Sequence, residues 1–219
     1  KKFLMPLSML NLLRRMRFRG IATNKKVKDE RRKIMAKKVY VLVADGFEEV
    51  EGLTVVDLLR RAGMQVQIVS IKDSLQVQGA RNINITADVS IDHLQDDGDL
   101  LVLPGGMPGT RYLEQSKDVE DLIKHYFAEG KLIAAICAAP TILGKLKLLK
   151  GRKATCYPGM EGDLFEADFT TDPVAVDLPF ITSRGVGTAL EFACKLIEIL
   201  DSREAAEKMA ASVVYEMKM

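Results

Sequence analysis

From Lys38 onward, short apolar runs alternate with longer amphipathic segments, and that alternation restricts the chain to few folds. Val39–Ala44 (VYVLVA), Leu100–Leu103 (LLVL) and Leu132–Ile136 (LIAAI) are almost wholly apolar. Such runs suit strands covered on both faces rather than strands with one wet face. Between them, Val50–Ala62 reads as an amphipathic helix ended by Gly63, and Asp118–Glu129 as one ended by Gly130. Gln65–Ile71 is a further strand, and Ile83–Val89 carries weaker β signals. Ala154–Cys156, Ala175–Val176 and Phe180–Thr182 are short later strands, and Thr188–Leu200 and Arg203–Tyr215 close the chain as helices. Strands separated by helices over short connections predict an α/β architecture: a doubly wound, mostly parallel sheet with helices on both faces, in a single domain.

Composition and charge narrow the classes further. A chain of 219 residues with 47% hydrophobic content suits one globular domain plus an appendage. No stretch reaches the roughly 18 uninterrupted apolar residues of a membrane span. The net charge of +2 conceals an asymmetry, because residues 1–38 hold 14 Lys and Arg against two acids. They carry +12 and leave −10 on the remainder, so the basic balance is no sign of a nucleic-acid partner. Residues 1–35 form a basic N-terminal extension, and the domain proper spans 36–219. The Leu7–Arg19 run of Leu, Met and Arg reads as an organelle-targeting presequence or as sequence upstream of a start at Met35. A membrane-surface amphipathic helix is a third reading. Location is accordingly cytoplasmic, or an organelle matrix if the extension is a presequence. Three widely spaced cysteines without a CxxC pair argue for a reducing compartment, and against a disulfide framework or a zinc site.

In open parallel sheets ligands bind beyond the carboxyl ends of the strands. Three strand ends here carry conspicuous loops: Asp45–Glu51 (DGFEEVE), Pro104–Gly109 (PGGMPG) and Cys137–Pro140 (CAAP). Cys137 ends an apolar strand and precedes a helix, a corner that projects a side chain out of a sheet. Unpaired N–H groups at a helix start are expected to lower its thiol pKa from about 8.5 and populate the thiolate. The bland alternative is a small buried hydrophobe. Gly105 and Gly106 let backbone N–H groups approach an oxyanion, or simply make a tight turn. Glu48, Glu49 and Glu51 complement a helix N-terminus, and one of them near the sulfur would be a proton carrier. The absence of G-x-x-x-x-G-K-[ST] argues against a P-loop, and the absence of G-x-G-x-x-G after the first strand weakens a dinucleotide role. His93 and His125 read as solvated surface residues.

With these loops in place the chain resembles the ThiJ/PfpI superfamily, in its DJ-one-like branch, over about Lys38–Asp201. The resemblance rests on Gly46–Glu51 (GFEEVE), Leu103–Gly106 (LPGG), Ala134–Pro140 (AAICAAP) and Thr182–Gly187 (TSRGVG). It implies a flavodoxin-like fold, a homodimer, a reactive Cys137, and Glu51 as the buried carboxyl facing the sulfur with Glu48 nearby. It also implies an anion pocket formed by the N–H groups of Gly106 and Ala138 beside Gly105, bordered by Arg81 and Arg184. Tyr157 stands where some relatives place a histidine next to the nucleophile, which leaves Glu51 as the acid/base, since a phenol with a pKa of about 10 is a poor base. Ala138 stands where peptidase members carry His. No histidine follows Cys137, which excludes the glutamine-amidotransferase triad.

Two functions follow from the resemblance. One is a cysteine-dependent, cofactor-free and metal-free enzyme acting on small reactive dicarbonyls or glycated adducts. It would be a glyoxalase III-type lyase turning methylglyoxal into lactate without glutathione, or a deglycase-like hydrolase. The other is a redox-sensing, stress-protective, chaperone-like protein that works through oxidation of Cys137. The partner in the first reading is the small substrate, with neither nucleic acid nor membrane involved. Cys156 and Cys194 read as packing residues, Cys156 bordering the site.

Overall fold

Val39, Val41 and Val43 point to one face of the first strand and Tyr40 and Leu42 to the other, and all five are buried. A strand covered on both faces needs a helical layer on each side. The computed structural model describes residues 37–217 and supplies both layers. The chain runs β1 (Lys38–Val43), α1 (Glu49–Arg61), β2 (Gln65–Ser70), the hairpin strands β3 (Gln76–Gln78) and β4 (Asn84–Thr86), then β5 (Val89–Ser90) and β6 (Leu100–Leu103). It continues through α2 (Gly109–Gln115), α3 (Lys117–Ala128), β7 (Leu132–Ile136), α4 (Pro140–Lys145), β8 (Lys153–Ala154) and β9 (Asp168–Phe169). Strands β10 (Val174–Asp177) and β11 (Phe180–Ser183) and helices α5 (Ala189–Leu200) and α6 (Arg203–Ser212) complete it.

The central sheet has the order β10-β11-β7-β6-β1-β2-β5, parallel except for the antiparallel β10–β11 pair at one edge. One core packs α1, α5 and α6 over the Val39 face, and the other packs α2, α3 and α4 over the Tyr40 face. Each core forms because helix apolar positions fall on one stripe. In α1 these are Val55, Val56, Leu58 and Leu59, and in α3 Val119, Ile123 and Tyr126. The Ser116 hydroxyl accepts from the Val119 N–H and starts α3 there. This is the doubly wound, flavodoxin-like α/β fold that the alternation and the resemblance predict.

Strands β7, β6 and β1 are neighbours, with Val39 opposite Leu100 and Leu100 opposite Leu132. The loops after all three therefore leave the same end of the sheet side by side. Several expectations differ in detail. The β signal over Ile83–Val89 splits into β4 and β5, because the Asp88 carboxylate turns inward to accept the Ile68 N–H at 2.7 Å. The last helix stops at Ser212, three residues short of the expected Tyr215. Helix α2 was not expected, since its seven residues bury only Gly109, Thr110 and Leu113 and are too short for a period to show. The basic extension 1–35 lies outside the described residues. Among the described residues no helix is long and apolar enough to cross a membrane.

Candidate active site

Cys137 sits at the end of β7 with φ +66°, in the left-handed region that side chains other than glycine seldom occupy. Such strain costs on the order of 1–3 kcal/mol and persists only where surroundings over-determine it. Here they do: the Cys137 N–H donates to Ser183 O at 3.0 Å, and the Tyr157 N–H donates to Cys137 O at 2.8 Å. The strained corner turns the thiol away from the sheet and into a cavity of about 700 Å³, a volume typical of small-molecule sites.

Glu51 lies in the first turn of α1 and is completely buried. The Gly105 N–H donates to its Oε2 at 3.0 Å, while Oε1 is buried with no fixed hydrogen-bond partner. Gly105 is the reason carboxyl and sulfur can meet. A Cβ built on it would lie 2.5 Å from Glu51 Oε2 and 2.6 Å from Cys137 Cβ, closer than real atoms approach. Gly106, at φ +93°, turns its own N–H toward the sulfur, as does Ala138. Glu48, Glu51, Arg81, Gly106, Ala138 and Tyr157 line the cavity with Cys137 and Arg184, and Gly105 stands directly behind the Cys137–Glu51 pair. The residues assigned to the site from sequence, Cys137, Glu51, Gly105, Gly106, Ala138, Glu48, Arg81, Tyr157 and Arg184, are thus brought together. Met107, Met160, Val186 and Thr188 also line the cavity and were missed. For Val186 and Thr188 the signal was present in the Thr182–Gly187 segment and the residue after it.

The electrostatics correct one expectation. Far from being lowered by the helix start, the Cys137 thiol is pushed up to about 12, by burial first and then by the negative charge and hydrogen bond of Glu51. The N–H groups of Ala138 and Gly106 pull it down, but by less. Helix α4 is only six residues long, so its dipole is weak, and the facing carboxylate outweighs it. Glu51 is in turn raised to about 7, chiefly by burial, with the charge of Glu48 adding to it against the Gly105 and Cys137 hydrogen bonds. The two groups form one titrating unit. Near neutrality it gives up its first proton, and carboxyl and sulfur then face each other with one proton between the two groups.

The other sequence candidates separate clearly. Cys156 does not line the cavity; its side chain packs in the opposite core with Leu143, Leu149 and Leu164. Cys194 is core in α5. His93 bonds Ser90 Oγ at 2.8 Å and His125 faces Asp96 at 3.2 Å, both away from the cavity. Arg184 keeps its Nη1 buried without a partner, a donor available to a bound oxygen. Among the described residues no group of three or more His, Cys, Asp or Glu is placed to hold a metal.

Residues 37–199 match the model of the DJ-1/PfpI family. The Drosophila melanogaster protein dj-1beta is 38% identical over 183 residues, covering 82% of this chain and 98% of the fly protein. A Pyrococcus abyssi protein named a deglycase is 33% identical over 166 residues, covering 74% of this chain and 99% of its own length. Among solved structures, oxidized Toxoplasma gondii DJ-1 superposes with a TM-score of 0.79 at 39% identity, covering 82% of this chain and 99% of that one.

Proposed function

The chain belongs to the DJ-1/PfpI family, and from that premise we propose that it is a cysteine-dependent enzyme acting on small reactive dicarbonyls or the adducts they form. The observation that carries this reading is the pairing of buried Glu51, whose raised carboxyl is poised near neutral pH, with the half-buried, cavity-lining Cys137, whose sulfur is flanked by N–H donors. With methylglyoxal the steps balance as follows. In the thiolate form of the pair Glu51 holds the proton. The sulfur attacks the aldehyde carbon, and the resulting oxyanion lies toward the Gly106 and Ala138 N–H groups. Glu51 protonates that oxygen and becomes the carboxylate. As a base it then removes the hydrogen from the former aldehyde carbon to give an enediolate. The hydroxyl proton of that carbon passes to the neighbouring carbonyl oxygen, and Glu51 returns the abstracted hydrogen to the neighbouring carbon. The product is a thioester of a hydroxy acid. Water hydrolyses it to lactate and returns the thiol, so one water enters and nothing is oxidised overall. A deglycase-like reaction would use the same attack on the carbonyl-derived carbon of an adduct, and the relative named a deglycase gives that variant support.

A second reading is favoured by one feature, the unpartnered Glu51 Oε1 beside the sulfur. A cysteine sulfinate, formed with two equivalents of peroxide reduced to water, would accept a hydrogen bond from protonated Glu51 and from the same N–H groups. The two readings separate in one assay. Lactate formed from methylglyoxal without glutathione, and abolished by Cys137→Ala, supports the enzyme. Wild-type turnover no faster than that of the variant overturns it.

A further inference from the structure

Glu49 is a buried carboxylate, 3% exposed, that the proposed chemistry does not use. It faces away from Glu51 and grips the tip of the β3–β4 hairpin. Its Oε1 accepts from the Arg81 N–H at 2.7 Å and more loosely from the Ile83 N–H at 3.4 Å, while its Oε2 is buried with no partner. Gly79 makes this approach possible, since any Cβ there would overlap the Glu49 carboxylate. The same turn carries Arg81, whose guanidinium stands 3.6 Å from Glu48 Oε2 at the cavity wall. The β3 side of the turn is tied separately, by Gln78 N–H to Asp45 Oδ1 at 2.9 Å and Ala80 N–H to Phe47 O at 2.8 Å. Glu49 therefore holds the Arg81–Ile83 side of the turn, the part that carries Arg81.

We propose that Glu49 is a positioning residue: its carboxylate clamps the Gly79–Ile83 turn and so holds the Arg81 guanidinium against Glu48, setting the charge that the Cys137–Glu51 pair experiences. Glu51 is faced by Glu48 on its own helix, by Cys137 on the β7–α4 corner, and by the Gly105 N–H after β6. Arg184, from the loop after β11, lines the same cavity. Of these groups, Glu48 adds negative charge, and Arg81 is the cation placed to offset it. Releasing Arg81 leaves Glu48 uncompensated, which favours a proton on Glu51. Because Arg81 is largely exposed, solvent screens the effect and keeps it small.

The inference rests on the paired site but not on the reaction proposed for it, because its readout needs no substrate. The rate of Cys137 alkylation by iodoacetamide, located by peptide mass, is followed against pH in the full chain. In the wild type the rate rises through a step near the point where the pair loses its first proton. Arg81→Ala and Glu49→Ala should each move that step up by about a third of a pH unit, and the double variant should move it no further. Glu49→Gln keeps an acceptor oxygen for the Arg81 N–H and should return the step to its wild-type position. That variant also removes the charge of Glu49 without freeing the turn. If it moves the step as far as Glu49→Ala, the charge and not the clamp is responsible and the proposal fails. It fails equally if the Arg81 and Glu49 effects add, or if Glu49→Ala leaves the step in place while Arg81→Ala moves it.

Discussion

The two ends of the central sheet both hold acids and treat them in opposite ways: Asp97 and Asp99 stand in reach of solvent, whereas Glu51 is buried. At the amino end of β1, Asp97 accepts from Lys38 Nζ at 2.6 and 2.7 Å and from the Tyr40 hydroxyl at 2.5 Å, while Asp99 meets Lys37 Nζ and the Lys38 N–H, each at 3.0 Å. The Lys38 and Tyr40 hydrogen bonds hold Asp97 below the usual carboxylate range. At the carboxyl end, Glu51 has one N–H, no cation in contact, and a thiol that shares its need for a proton. Its pKa rises to about 7. One end satisfies its charges and the other leaves them unmet. Unmet charge is costly to folding, and it is also what gives a group protons to exchange near neutral pH.

That contrast can be tested from both sides. The largest effects belong to the carboxyl end. Cys137→Ala should reduce glutathione-free methylglyoxal turnover to background, and Glu51→Gln should lower kcat by about 10²-fold or more, both read by lactate formation. Stability should respond to pH with opposite signs at the two ends. Glu51 has a folded pKa above its unfolded value of 4.5, so its contribution is fully present below 4.5 and is lost as pH rises toward about 7. The loss is on the order of 3 kcal/mol in denaturant unfolding, and Glu51→Gln should abolish that slope. Asp97, with a lowered pKa, contributes stability above its unfolded value that is lost as pH falls below it. Gly105→Ala forces a Cβ between carboxyl and sulfur and should cost about 1–3 kcal/mol, with activity lost alongside, read by thermal unfolding. The smallest effect should come from Asp97→Asn. It removes a solvent-screened partner of Lys38, costs less than about 1 kcal/mol, and leaves turnover unchanged.

The division between what the sequence reveals and what it hides follows the range of the forces involved. Strands β1, β6 and β7 were legible because burial on both faces makes every position apolar, and α1 and α3 because their stripes span three turns or more. Helix α2 and strand β3 were not legible, the latter because Val77 is its one apolar residue. Cys137, Gly105, Gly106 and the acids Glu48 and Glu51 were legible because each sits in a loop of unusual composition at a strand end, whereas Arg81, Tyr157 and Arg184 were visible only through the family resemblance. The direction of the Cys137 shift was not legible. It depends first on burial and then on a carboxylate 86 positions earlier in the chain, both of which only tertiary packing brings to the sulfur, and local reasoning about a helix start gave the wrong sign. Glu49 was visible only as one more acid in a helix first turn, since its partners lie more than 30 residues away on a hairpin.

The most direct test of the coupled pair is the pH dependence of Cys137 alkylation in the wild type and in Glu51→Gln. The account predicts a wild-type rate that steps up near pH 7, as the pair loses its first proton, and no such step in the variant. A step of the same size and position in both proteins would show that Glu51 and Cys137 titrate independently and contradict the account.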